Sequence, residues 1–168
     1  AVYADNDEAQ TLEIVLEDPA TGVEAMLLYG VLPELDIITR SVYIRNQSSE
    51  KIYVNKVMSA ELDFLYGDYD LLTFYGRHAM ERNLQRVPVA HGSQMIGSVR
   101  GTSSHQYNPM MILAEKDTTE DHGGCYAMSF VYSGNFRMQA EVDTHNVTRI
   151  TAGINPEGFD WKLEPGES

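Results

Sequence analysis

The chain has 168 residues, with 25 Asp and Glu against 12 Lys and Arg for a formal net charge of -13, and 43% of it is apolar. That composition excludes a disordered segment and is enough for one domain with a sizeable core. The acidic field repels phosphate backbones and anionic lipid, so neither nucleic acid nor membrane is an expected partner; no apolar run reaches the ~18 residues of a spanning helix, and no basic-then-apolar leader opens the chain.

The first period-two alternation covers 11–17, with Leu12, Ile14 and Leu16 on one side. It breaks at Asp18-Pro19-Ala20-Thr21-Gly22 and resumes over 23–32, which predicts a hairpin. The β-branched run 38–45 is followed by the polar turn 46–50. Beyond it, 52–64 alternates Ile52, Val54, Met58, Ala60, Leu62 and Phe64 against Asn55, Ser59, Glu61 and Asp63. Those two runs predict a second hairpin with one long half-buried strand. From 75 to 86 no steady helical spacing recurs, and over 76–108 the alternation fades while Gly, Ser, His and Arg accumulate, so this stretch reads as an irregular connection. A third hairpin is expected from 126–132 and 136–142 around the turn Ser133-Gly134-Asn135, with two further strands over 147–154 and 159–163. The pattern as a whole predicts an all-β fold, an antiparallel sandwich spanning residues 1–168 as a single domain.

Residue types that carry chemistry are present without the spacing that chemistry needs. His122 and Cys125 form H-x-x-C beside Asp121, short of the three or four convergent ligands of a metal site. Cys125 opens an apolar alternating strand and is expected to be a core thiol. Ser103-Ser104-His105 lacks a G-x-S-x-G elbow and reads as local hydrogen bonding. His91, His105 and Glu115 are the raw material for a mutarotase-like acid and base. Tyr66, Tyr69, Tyr75, Tyr107 and Trp161 would offer sugar-stacking faces to a free-standing carbohydrate-binding module, or sit half in the core as strand aromatics. Four arginines, Arg77, Arg82, Arg86 and Arg100, gather in the irregular stretch of an otherwise acidic chain. Guanidinium forks suit carboxylates across an interface, the alternative being pairing within the domain. With His105 they are the candidate interface; no catalytic residue, cofactor or metal is assigned.

The one cysteine cannot form an internal disulfide and fits a reducing cytoplasm. The sequons at Asn46 and Asn146 are accordingly taken as chance matches. Ala1 at one end and Glu164-Pro165-Gly166-Glu167-Ser168 at the other read as cuts through a longer polypeptide.

Particular segments are more specific than any of these patterns. They are DEAQTLEI from Asp7, DIITRS from Asp36, RGTSSHQYNP from Arg100, TTEDHG from Thr118, SFVYSGNF from Ser129 and GINPEGFDWKLEPGE from Gly153. In this order, almost end to end, the chain resembles the N-terminal β-sandwich domain of bacterial α-galactosidases of glycoside hydrolase family 36. Departures are small: Met110 stands where the family commonly has phenylalanine, and Gly123-Gly124-Cys125 where Gly-Glu is frequent. The resemblance implies a supersandwich of galactose-mutarotase type whose opening strands lie upstream of Ala1. It also implies a parent enzyme that hydrolyses terminal α-galactosides such as melibiose and raffinose with retention, using two aspartates. Those aspartates belong to a (β/α)8 barrel that follows the domain, and no residue here corresponds to them. Packing on that barrel and support of a homo-oligomer, a tetramer in many members, are the implied roles of the domain.

Overall fold

A computed structural model describes residues 9–168; the opening residues, Ala1 among them, lie outside the described residues. Thirteen strands and a single 3-10 turn make up the regular structure, and no α-helix occurs among the described residues. The strands fall into two compact units, one formed by residues up to 54 together with 160–168, the other by 55–159.

In the first unit β1 (Gln10–Asp18), β2 (Val23–Leu32) and β3 (Ile37–Asn46) form an antiparallel meander in the order β1-β2-β3. The expected first hairpin is present, paired from Gln10↔Val31 to Asp18↔Val23. Its turn closes because Asp18 accepts from the Ala20 N–H at 3.0 Å and the Thr21 hydroxyl at 2.6 Å, while Gly22 takes φ 69°. These bonds, the Thr21 hydroxyl first, hold the Asp18 carboxyl below its usual range. The same unit pairs β4 (Ile52–Val54) with β13 (Trp161–Leu163).

Asn46 fastens this unit at the end of β3. Its side chain is fully buried, donates to the carbonyls of Glu50 (2.7 Å) and Leu163 (3.0 Å), and accepts from the backbone N–H and hydroxyl of Ser48. Its backbone N–H donates to Glu167 O, and its carbonyl accepts from Gly166 N–H. The amide nitrogen that a glycan would need is thus committed to two carbonyls inside the fold.

The second unit holds the sandwich. One sheet runs β10 (Cys125–Ser129), β9 (Tyr107–Glu115), β6 (Tyr69–Arg77), β7 (Met80–Pro88); the other runs β11 (Phe136–Val142), β12 (Thr148–Ile154), β5 (Met58–Phe64). Alternate residues point inward from both sheets, Leu71, Met111 and Leu113 from the first, and Phe136, Met138, Ile150 and Ala152 from the second, and together they form one buried cluster. The remaining strand, β8 (Gly92–Gly97), lies along β11, bridged in parallel from His91 to Val142 and tied by Ser98 N–H to Phe136 O at 3.0 Å.

Four expectations are corrected here. The run 52–64 is not one strand: β4 and β5 separate at Asn55-Lys56-Val57 and pair in different units, with β13 and β12 respectively. The hairpin between 38–45 and 52–64 does not form, because β3 pairs with β2 and Asn46 turns the chain out of that sheet. The hairpin expected over 126–142 does not form either, since β10 pairs with β9 and β11 with β12, so the 130–135 connection crosses between sheets. The stretch 76–108 is not irregular, as it holds the end of β6, the whole of β7, which pairs back onto β6 as a hairpin, and β8. The alternation of β7 was faint because that strand is a sheet edge: Leu84 remains 56% exposed, and polar residues occupy both faces.

Candidate functional site

The β6–β7 hairpin turns tightly at Arg77-His78-Ala79-Met80. The register slips between Tyr75 and Arg77, placing Gly76 so close to the Met80 carbonyl and Glu81 that no Cβ fits there. Ala79 and Arg82 take φ 62° and 58°, a region disfavoured for side chains with a Cβ. The turn is held by the Ala79 N–H donating to Glu81 Oε1 at 2.9 Å and by Asn83 Nδ2 donating to Met80 O at 2.9 Å. Beside it runs the connection between β8 and β9, cross-tied by Gly76 N–H to Gln106 O and by Ser103 N–H to Ser133 O at 2.8 Å. Gly101 N–H adds a bond to Asn135 Oδ1. These ties preorganise an open groove of about 610 Å³ lined by Arg77, His78, Glu81, Arg100, His105 and Gln106.

The candidate interface residues divide on this geometry. Arg77, Arg100 and His105 converge on the groove, and among the described residues neither guanidinium has a carboxylate partner; Arg77 meets only the Met80 sulfur at 3.2 Å. Arg82 sits on β7 at its positive φ and does not line the groove. Arg86 is drawn elsewhere. Its Nε donates to Asp70 Oδ2 at 2.7 Å, and its terminal nitrogens donate to the carbonyls of Thr118 (2.7 Å), Lys116 (2.9 Å) and Glu115 (3.3 Å). The second oxygen of Asp70 accepts from Lys116 Nζ at 2.7 Å. Lys116 and Arg86 together hold the Asp70 carboxyl below its usual range, and Asp70 raises the Lys116 ammonium. For Arg86 the intradomain alternative therefore holds.

The other residues singled out from sequence do not assemble. His105 precedes β9 and Glu115 ends it, roughly 25 Å apart at the rise of an extended strand. His91 bridges to β11. His122 Nδ1 lies 3.0 Å from the Thr119 hydroxyl in the β9–β10 loop, and no group of three potential metal ligands occurs among the described residues. Cys125 is exposed, which corrects the core assignment: β10 is an edge strand and most of its residues face outward. Ser104 Oγ accepts from Gln106 N–H at 3.3 Å, the local bonding expected of that stretch. Tyr69 is buried, its hydroxyl donating to Tyr66 O, and burial pushes its phenol pKa up. Tyr75 and Tyr107, directly opposed across β6 and β9, are half exposed, whereas Tyr66 and Trp161 are well exposed. The bulge at Gly76 and the strained Ala79 were invisible to alternation, although the glycine itself was a signal.

Fold and groove together define an antiparallel β-sandwich module that presents an arginine-lined groove at a cross-tied end. The chain belongs to the glycosyl hydrolase family 36 N-terminal domain, whose family model matches residues 1–164. It is 58% identical over its whole length to the bifunctional alpha-galactosidase/sucrose kinase of Mediterraneibacter gnavus, spanning 18% of that protein. With alpha-galactosidase AgaA of Geobacillus stearothermophilus it shares 43% identity over its whole length and spans 23% of it. The solved galactosidase domain of the former superimposes with a TM-score of 0.89 at 59% identity, covering 99% of this chain and 23% of that one. The crystal structure of AgaA superimposes with the same TM-score at 42% identity, with the same coverage. The chain thus spans about a fifth of the length of these relatives and matches only their N-terminal domain.

Proposed function

We propose that this chain is the non-catalytic N-terminal domain of an α-galactosidase that removes terminal α-D-galactosyl residues from melibiose- or raffinose-type substrates. The observation that carries the reading is the match of residues 1–164 to the family's N-terminal domain, in relatives about five times longer and named as alpha-galactosidases. In this reading the reaction proceeds with retention through two aspartates of a downstream (β/α)8 barrel. The domain packs on that barrel and supports a homo-oligomer, a tetramer in the parent enzyme. The single cysteine supports a reducing, cytoplasmic bacterial setting.

The test compares the 168-residue chain with the polypeptide encoded by the same reading frame continued downstream, both assayed on raffinose with the anomer of released galactose followed by NMR. Hydrolysis by the longer protein alone, with retention, is the expected result. An inactive longer protein, or a 168-residue chain that hydrolyses raffinose unaided, would overturn the proposal.

A further inference from the structure

We infer that the groove between the β6–β7 turn and the β8–β9 connection is a docking site for a carboxylate-bearing segment of the polypeptide beyond this domain, received by Arg77 and Arg100. This rests on the reading of the chain as one domain of a longer enzyme.

The argument begins with the distribution of charge. Carboxylates outnumber cations by 25 to 12 in this chain, and Arg45, Arg86 and Arg149 are taken up by Glu24, Asp70 and Asp63. Arg77 and Arg100 have no carboxylate partner among the described residues, although they face one groove. The one carboxylate lining it, Glu81, accepts from the Ala79 N–H and so holds the turn. Two guanidinium forks without a carboxylate partner among the described residues, lining one groove with His78 and His105, suit a carboxylate, which such forks bind in bidentate fashion.

The surroundings have the make-up of a protein interface rather than of a solvated loop. Val99 (56%), Met80 (50%) and Val131 (96%) are exposed on the turn and the two connections that are tied together at this end. Apolar and methionine contacts flanking arginine anchors are the composition enriched where proteins bury surface against each other. The backbone is preorganised by the bonds of Gly76, Gly101 and Ser103, so little ordering entropy opposes docking. Ala79 and Arg82 keep disfavoured positive φ values in the same hairpin that carries Arg77. The occupant is assigned to the remaining four-fifths of the polypeptide in the longer relatives, because a cationic groove on a chain of net charge -13 suits a carboxylate-bearing segment from outside it.

The experiment uses the full-length protein and the variant Arg77→Lys/Arg100→Lys, whose amines a zero-length carbodiimide couples to any carboxylate they touch. A mixture of isotopically light and heavy protein, read by mass spectrometry, separates intrachain from interchain links. A link from position 77 or 100 to an Asp or Glu beyond residue 168 of the same molecule is the expected outcome. No link beyond residue 168, or such a link only between copies, overturns the inference. In parallel, amide hydrogen exchange over 98–107 in the full-length protein should quicken at least tenfold in Arg77→Ala/Arg100→Ala relative to wild type. Equal exchange in the two likewise overturns it. Raffinose hydrolysis measured on the same preparation keeps the two proposals apart: an active enzyme without the link removes the groove inference alone, and the link in an inactive protein removes the galactosidase reading alone.

Discussion

Replacing Asp70 by asparagine should destabilise the second unit by an amount that vanishes in acid. Asp70 has only 14% of its side chain exposed and accepts charge-assisted bonds from both Arg86 and Lys116 at 2.7 Å. Each such bond is worth about 1.5 to 3 kcal/mol when sheltered. Here the cationic partners are a third exposed, at 33% and 34%, so solvent screening cuts the sum to about 1 to 2 kcal/mol. For a chain of this size that lowers Tm by about 2 to 8 °C. The pH dependence has a definite sign. The folded Asp70 carboxyl is depressed below the ordinary value of a free aspartate, so its contribution is complete above that ordinary value and is lost as the pH falls through the lower folded one. Thermal unfolding followed by circular dichroism should therefore separate wild type from Asp70→Asn at pH 7 and bring them together near pH 2. Equal Tm at pH 7 would refute the assignment of strength to this network. A gap that persists undiminished near pH 2 would show that packing, not charge, carries it.

Phe136→Ala should cost about 3 to 5 kcal/mol in urea unfolding, because the ring is fully buried between the two sheets of the sandwich and its removal leaves a cavity. Asn46→Ala should lose about 2 to 3 kcal/mol and speed hydrogen exchange over 163–167, since it leaves the Glu50 and Leu163 carbonyls without their donor; unchanged exchange there would deny Asn46 its fastening role. Cys125 should react fully with a chromogenic disulfide reagent in the native protein; reaction only after denaturation would contradict its exposure.

Alternation in sequence reports which side of a strand faces the core where the pattern is clean: on β11 Phe136, Met138 and Ala140 are buried and alternate with Arg137, Gln139 and Glu141, whereas Leu12, Ile14 and Leu16 of the first alternation stay exposed at 57%, 37% and 52%. The first hairpin was legible to within a residue at each end of its first strand because its turn is local chemistry: Asp18, Thr21 and Gly22 close it. Edge strands were harder to see. β7 and Cys125 on β10 lack a neighbour on one side, so their residues are under little pressure to alternate or to be buried.

The candidate site was half visible. The arginines were conspicuous against the acid excess, yet nothing in their spacing distinguishes Arg86, held by Asp70 sixteen residues earlier, from Arg77 and Arg100, which share a groove. That sorting depends on which loops meet, and hence on strand partners. From the amino-acid order came the all-β class, the first turn and, through the long shared segments, the family. The tertiary structure alone decided that β4 and β5 part company, that β10 and β11 lie in opposite sheets, and that two of the arginines face one groove. The reason is that backbone N–H and C=O groups are the same in every residue, so a strand's pattern says which face it buries while leaving its partner to be chosen by the packing of the whole.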